Sequence, residues 1–230
     1  MLIIENLRAG YAKGNEVLKG VNLSLATGMI HGLVGLNGAG KTTFLNVLYQ
    51  FMRPSEGQMR YNDAPLRRQD LAYLETENYF YPYMTGHEYL QLFPSGRNGF
   101  DVAGWQRLFA LPLNEVTESY SAGMRKKLAL MAVFKTDKPV FILDEPFNGL
   151  DLESVHLLTM LLDRLRAKGK TVIVTSHIYE SLTGCCDFIH YLDGGVIARS
   201  YAKDEFPLLQ KELQSLIERR ASGLIGELLR

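Results

Sequence analysis

The chain holds only two cysteines, and they are neighbours, Cys185 and Cys186. Adjacent thiols rarely bond to each other, and no second pair exists to build a zinc module. A disulfide framework and a zinc-built fold are therefore excluded, and both side chains are expected as buried or half-buried thiols in a reducing compartment. Net charge is missing as well: Lys+Arg 25 and Asp+Glu 25 cancel. That leaves no global basic field of the kind nucleic-acid binders carry, so no nucleic acid is expected as a partner. Long apolar runs are also lacking. Residues 21–40 bear no formal charge, yet Asn22, Ser24, Thr27 and several glycines interrupt them, a strand-loop-strand pattern and not a membrane span. The opening Met1-Leu2-Ile3-Ile4-Glu5 has no basic segment and meets a carboxylate at once, so no targeting signal is expected there. Internal repeats, sustained heptads and low-complexity stretches are absent, which excludes coiled-coil arms.

What is present fits one globular domain. At 230 residues, with 47% hydrophobic and 22% charged side chains, the chain is long enough to bury a sizeable core and carry a subdomain. Residues 2–7 and 17–26 read as strands, with Gly10, Gly14 and Asn15 in a turn between them. Residues 30–34 form a short apolar run ending at Gly35, as a buried strand feeding a loop does. Residues 41–50 place Phe44, Leu45 and Leu48 on one helical face, and Pro54 closes the region. From about residue 82 to 131, helical segments are separated by Pro and Gly. Thr85-Gly86-His87-Glu88 caps one of them, Trp105 to Ala110 belongs to another, and Ser121 is the N-cap of a run over 124–134. Residues 140–143 and 171–175 return to β-rich apolar runs with a helix over 152–167 between them, which argues a parallel sheet covered on both faces. Asp193-Gly194-Gly195 signals a hairpin within 187–200. The tail from Lys203 onward, with Leu209, Leu213, Leu216 and Ile217 at helical spacing, reads as a docked C-terminal helix.

Two motifs carry chemistry on their own. Gly35-Leu36-Asn37-Gly38-Ala39-Gly40-Lys41-Thr42 fits G-x-x-x-x-G-K-[ST] with an apolar strand before it and a helix after it. Such a loop wraps phosphates with backbone N–H groups, so Gly35, Gly38 and Gly40 stand where it must bend. The helix beginning near Lys41 adds a positive dipole end, Lys41 reaches the β- and γ-phosphates, and the Thr42 hydroxyl ligates Mg²⁺. Four apolar residues followed by Asp144-Glu145 put two acids at the C-terminal end of a buried strand, the edge where ligands sit in open α/β sheets. Asp144 there orients Mg²⁺ through water, and Glu145 accepts a proton from a water in line with the γ-phosphate.

Taken with Tyr120-Ser121-Ala122-Gly123-Met124 and Thr175-Ser176-His177, these residues resemble the ATP-binding-cassette (ABC) family, specifically a transporter nucleotide-binding subunit. The resemblance runs from residue 2 to about 200. It implies an α/β fold: a P-loop NTPase (RecA-like) core with a mostly parallel sheet, an N-terminal antiparallel β element and an inserted helical subdomain. The nucleotide-binding core would comprise about 1–75 and 135–230, and the helical signature subdomain about 76–134. By resemblance Tyr11 stacks on adenine, Gly35 to Thr42 with Thr43 is Walker A, and residues 140–144 are Walker B with Glu145 as general base. Ser121-Ala122-Gly123 stands at the signature motif, Asn148-Gly149-Leu150-Asp151 at the D-loop, and His177 at the switch histidine that contacts the γ-phosphate. Two cassettes would pair head to tail, each ATP lying between Walker A of one and Ser121 and Gly123 of the other. A separate integral membrane permease would be the further partner, placing the chain in the cytoplasm on the inner face of the cell membrane.

The pattern departs from the family in two places. The usual Leu-Ser-Gly-Gly-Gln signature reads Tyr-Ser-Ala-Gly-Met here. Ala122 costs backbone freedom only if φ must be positive, Met124 loses a polar contact, and a similar form in export-like systems implies export. The Q-loop glutamine is replaced by Thr76, too short to reach Mg²⁺, so Glu75 or Glu77 is expected to serve, with Glu75 the candidate ligand. Tyr79-Phe80-Tyr81-Pro82-Tyr83-Met84 then borders, by resemblance, the groove that receives a coupling helix of the membrane subunit. A non-transport cassette acting on nucleic acid or ribosomes is the rival. A small-molecule kinase leaves residues 121–124 and His177 unexplained.

Overall fold

The computed structural model describes residues 1–12, 14–97 and 99–228, without the side chains of 12, 217 and 219–228. β1 (Leu2–Ala12) and β2 (Asn15–Leu25) pair antiparallel. The apolar alternation of β1 is broken at Asn6, which takes φ 47° while the register shifts between Ile4 and Leu7. One face therefore continues with Leu7 and Ala9 after Leu2 and Ile4, all four buried. Gly10, expected in a turn, lies inside β1, where a Cβ would stand 2.0 Å from the Asn15 carbonyl oxygen.

The chain then runs through β3 (Ile30–Val34), α1 (Lys41–Leu48), β4 (Glu56–Tyr61), β5 (Ala64–Pro65) and β6 (Leu71–Leu74). Next come α2 (Gly86–Gln91), α3 (Val102–Phe109), α4 (Ala122–Lys135), β7 (Val140–Leu143), α5 (Leu152–Ala167) and β8 (Thr171–Thr175). It closes with α6 (Tyr179–Thr183), β9 (Phe188–Asp193), β10 (Val196–Ala202) and α7 (Phe206–Leu228). β4 and β5 extend the first hairpin into a four-stranded antiparallel sheet, β2-β1-β4-β5. The second sheet has the order β10-β9-β3-β8-β7-β6, parallel from β9 to β6, with β10 antiparallel at its edge.

Period-two alternation sends each central strand into two cores. Val140 and Ile142 of β7 and Ile173 of β8 join α1 and the antiparallel sheet. Phe141 and Leu143, with Val172 and Val174, join α4, α5 and the helical segment. Full burial of side chains this size is worth about 1.5–3 kcal/mol each, so these positions help hold both layers on the sheet. Local caps fix the helices around the sheet. Thr85 and Glu88 form a reciprocal box at the start of α2, the Thr85 amide donating to Glu88 Oε2 at 2.8 Å. The Ser121 hydroxyl accepts from the Met124 amide at 3.2 Å to start α4. Ala122 has ordinary helical backbone as the first residue of α4, so the missing signature glycine costs no strain, and Met124 packs against the core.

α7 docks as expected, with Phe206 and Leu209 buried and Leu213 and Leu216 packed on the same core; the Ile217 side chain lies outside the described residues. Tyr179 donates its hydroxyl to the Phe206 carbonyl and Tyr201 to Glu212, holding α7 at two points. Cys185 and Cys186 are buried free thiols, their sulfurs 3.8 Å apart. Among the described residues, no helix is long and apolar enough to cross a membrane.

Candidate functional site

Because β3, β8, β7 and β6 are adjacent and parallel, the segments leaving them lie side by side. Those segments begin with Gly35, Ser176-His177, Asp144-Glu145 and Glu75-Thr76. They border a cleft of 500 Å³ lined by Tyr11, residues 37–43, Thr76, Asp144, Glu145, Asn148 and His177, with Val17. The carboxyl edge of the sheet thus assembles what the sequence scatters over more than half its length.

The loop after β3 needs glycine for two different reasons. At Gly35 a Cβ would sit 2.4 Å from the Leu192 carbonyl oxygen, and Gly40 holds φ 106° at the N-cap of α1. No side chain caps α1, which leaves its first-turn amides for a ligand. Lys41 turns back along the loop, its ammonium donating to the Gly35 carbonyl at 2.7 Å and to the Leu36 carbonyl at 3.4 Å. Burial pushes its pKa down, against the pull of Glu145 and Asp144. Tyr11 is 67% exposed at the rim, its hydroxyl sharing a hydrogen bond of 3.2 Å with that of Thr43.

Asp144 and Glu145 are both buried and set by one hydroxyl. Thr175 Oγ1 donates to Asp144 Oδ1 at 2.6 Å and accepts from the Glu145 amide at 2.9 Å. Glu145 itself takes φ 49°, a conformation costly for a non-glycine residue and held here by that bond. Its carboxylate accepts from the His177 amide at 3.1 Å, and His177 Nε2 lies 3.2 Å from its other oxygen. Burial raises the Glu145 pKa; Asp144 adds to this, while His177 and Lys41 oppose it. A carboxylate made more basic, beside an ammonium and a second acid in a cleft, can take a proton from water.

The remaining candidates stand elsewhere. Gly35 and Leu36 line an adjoining cavity of 220 Å³ with Ser176, His177, Tyr179 and Leu213. Ser121, Gly123 and Asp151 do not line the cleft of their own chain. A Cβ on Gly123 would stand 3.0 Å from the Gly149 carbonyl oxygen, and Asp151 caps α5 by accepting from the Ser154 amide at 2.8 Å. Hydrogen bonds from Ser154 hold the exposed Asp151 carboxyl below its usual range.

The expectation for Glu75 needs correction. Thr76 lines the cleft, whereas Glu75 lines a groove with Tyr49, Phe51, Tyr73, Tyr79 and Tyr81. Glu77 lines neither. Lys126 was not singled out from sequence; Thr76 was named only as too short to reach Mg²⁺, Asn148 only within the D-loop and Thr175 only within Thr175-Ser176-His177. Thr175 was within reach, since a threonine in a continuous β run just ahead of Ser176-His177 has a hydroxyl to satisfy.

The chain matches the ABC transporter family over residues 18–148. It is 28% identical over 201 residues to the ABC transporter ATP-binding protein YtrB of Bacillus subtilis (strain 168), covering 84% of this chain and 69% of that protein. It is 31% identical over 204 residues to the bacitracin transport ATP-binding protein BcrA of Enterococcus faecalis, covering 83% and 66%. It thus spans about two thirds of the length of these relatives. A solved ATP binding subunit of an ABC transporter is 28% identical, with a TM-score of 0.77 over 89% of this chain and 91% of that one. The chain belongs to the ABC transporter family, as an ATP-binding, ATP-hydrolysing cassette.

Proposed function

We propose that the protein powers movement of a substrate, in the outward direction, through a separate integral membrane permease, by closing on ATP and hydrolysing it as one of two cassettes paired head to tail. The observation that carries this reading is the Glu145–His177 pair beside Lys41 and Asp144 in one cleft. Tyr11 stacks on adenine, and the backbone of residues 35–43 cradles the phosphates, with Lys41 leaving the loop carbonyls for the β- and γ-phosphates. Glu145 takes the proton of the attacking water while the bond from the γ-phosphorus to the ADP oxygen breaks. His177, whose amide donates to Glu145, contacts the γ-phosphate through its ring. Ser121, Gly123 and Asp151, away from their own cleft, serve the nucleotide of the partner cassette.

The residues fit Mg²⁺. One Asp144 oxygen is taken by Thr175, and the carboxylate shares the cleft with the exposed Thr42. Among the described residues there is no cluster of three His, Cys, Asp or Glu ligands, as suits a cation that keeps waters and relies on substrate phosphates. Bound there, it neutralises phosphate charge.

Residues 76–134 act as the signature subdomain. Tyr79 and Tyr81, 69% and 52% exposed, line the aromatic groove, and Tyr83, two residues on in sequence, is 87% exposed, suiting a membrane subunit's coupling helix. The permease would hold the chain on the cytoplasmic face of the membrane. The similarity to a protein named for bacitracin transport supports export. The test is purification of tagged protein from detergent-solubilised native membranes. A stoichiometric multi-span partner is expected; recovery of ribosomal or DNA-bound components with nothing from the membrane would overturn the transport role.

A further inference from the structure

Three consecutive cations open α4, and successive helical positions about 100° apart send them to three different places. Arg125 Nε reaches back to the Tyr120 carbonyl at 3.2 Å, and Lys127 lies 3.8 Å from Asp151 at the cap of α5. Lys126, between them, turns inward and is only 8% exposed. Lysines ordinarily carry their ammonium out to water on a flexible stem, so burial needs a compensating partner. Here Nζ donates at 2.9 Å to the Thr76 carbonyl. Among the described residues, that carbonyl has no other hydrogen-bond partner. Burial lowers the Lys126 pKa, and the negative charges of Asp144 and Glu145 oppose that shift, so the ammonium also serves as a counter-charge to the acids of the cleft.

The two ends of this bond matter for different nucleotides. Thr76 lines this chain's own cleft. Lys126 sits within about one and a half helical turns of Ser121 and Gly123, which the proposed function turns toward the nucleotide of a second cassette. β6 hands Thr76 to the cleft from one side, and β7, which pairs with β6, presents Asp144 and Glu145 from the other. The Asp144 amide continues that pairing by donating to the Leu74 carbonyl at 2.9 Å.

We propose that Lys126 is a positioning residue: its bond to the Thr76 carbonyl makes the cleft loop and the Ser121 end of α4 move as one body, coupling one cassette's nucleotide cleft to the face it offers the other. This rests on the proposed function for its consequence, though not for the tether itself.

The experiment compares the full chain with Lys126→Met and Lys126→Arg by amide hydrogen exchange and by steady-state hydrolysis. Loss of the donor in Lys126→Met is expected to speed exchange over residues 75–78 and 121–124 roughly tenfold, leaving the β3–β8–β7 strands unchanged. It should lower kcat by about the same factor while KM for ATP stays within about twofold, and Lys126→Arg should recover both. Wild-type exchange and kcat in Lys126→Met would overturn the proposal. So would equal losses in both variants with protection lost across the whole chain, the behaviour of a packing residue. If Lys126→Met does not fold, Lys126→Gln shortens the stem, and wild-type exchange at 75–78 in that variant overturns the tether. A wild-type protein without ATPase activity sinks the proposed function instead, because the exchange measurement needs no nucleotide.

Discussion

Two histidine networks cross the parallel sheet, and they differ in whether their polar atoms are all taken. In the first, His31 and His190 are buried between β3 and β9. His31 Nε2 lies 3.1 Å from the Ala26 carbonyl, which requires the proton on Nε2. His31 Nδ1 then accepts from His190 Nε2 at 3.1 Å, and His190 Nδ1 accepts from the Ser200 hydroxyl at 2.7 Å. Every ring nitrogen is used, both rings are neutral, and nothing is left for a ligand. Burial lowers the His31 pKa, and burial with the neighbouring His31 takes His190 to about 3. The second network, at the carboxyl ends of β7 and β8, holds Asp144, Glu145 and Thr175 as rigidly, but its His177 side chain is 56% exposed and faces the cleft. A closed chain of bonds makes histidine a structural part; the same residue type with atoms facing a cleft is chemical equipment.

The largest break in that contrast is expected at Glu145. Glu145→Gln keeps shape and removes the proposed base, so hydrolysis should fall by about 10²–10⁴ with ATP binding retained, read from phosphate release beside equilibrium binding. Next is Thr175→Val, which deletes the hydroxyl shared by Asp144 and the Glu145 amide. Loss of that partner should cost about 1–3 kcal/mol in urea unfolding. If hydrolysis survives unchanged, Thr175 does not position the acids.

The closed network makes a prediction in pH. His190 titrates near 3 in the folded protein and ordinarily near 6.5, so below 6.5 the unfolded chain binds more protons than the folded one. Stability is then fully present above 6.5 and lost as pH falls toward 3, at up to about 1.4 kcal/mol per pH unit for this group. Urea midpoints between pH 7.5 and 5 should show that slope, and His190→Asn should flatten it; an unchanged slope would mean the pair is not the acid-sensitive element. The smallest effect belongs to Tyr83, 87% exposed at φ 60°. Tyr83→Asn tolerates that backbone and should shift stability by less than about 0.5 kcal/mol. Hydrolysis should be spared and recovery of the proposed membrane partner reduced.

How far the sequence speaks follows from what each part depends on. β3, β7, β8, α4 and α5 were legible because apolar runs and caps are local: Ser121 starts α4 and Asp151 starts α5 by bonds within three residues. β4 and β6 were not. Glu56–Tyr61 is polar and largely exposed, and Leu71–Leu74 is four residues whose strand character comes from pairing with β7. The cleft was legible where glycine spacing and an acid pair mark it. It was illegible where a residue's role depends on which way it faces: Thr76 rather than Glu75 meets the cleft, and Lys126 turns inward between two cations that do not. The His31–His190 pair joins residues far apart in sequence through strand order alone.

The most direct measurement is phosphate release from ATP by the purified chain, with Mg²⁺ and with chelator, beside Lys41→Ala. The cleft at the carboxyl edge predicts Mg²⁺-dependent release from the wild-type protein and none above background from the variant. Release that is equal in both proteins, or no release from folded wild-type protein that binds ATP, would contradict it.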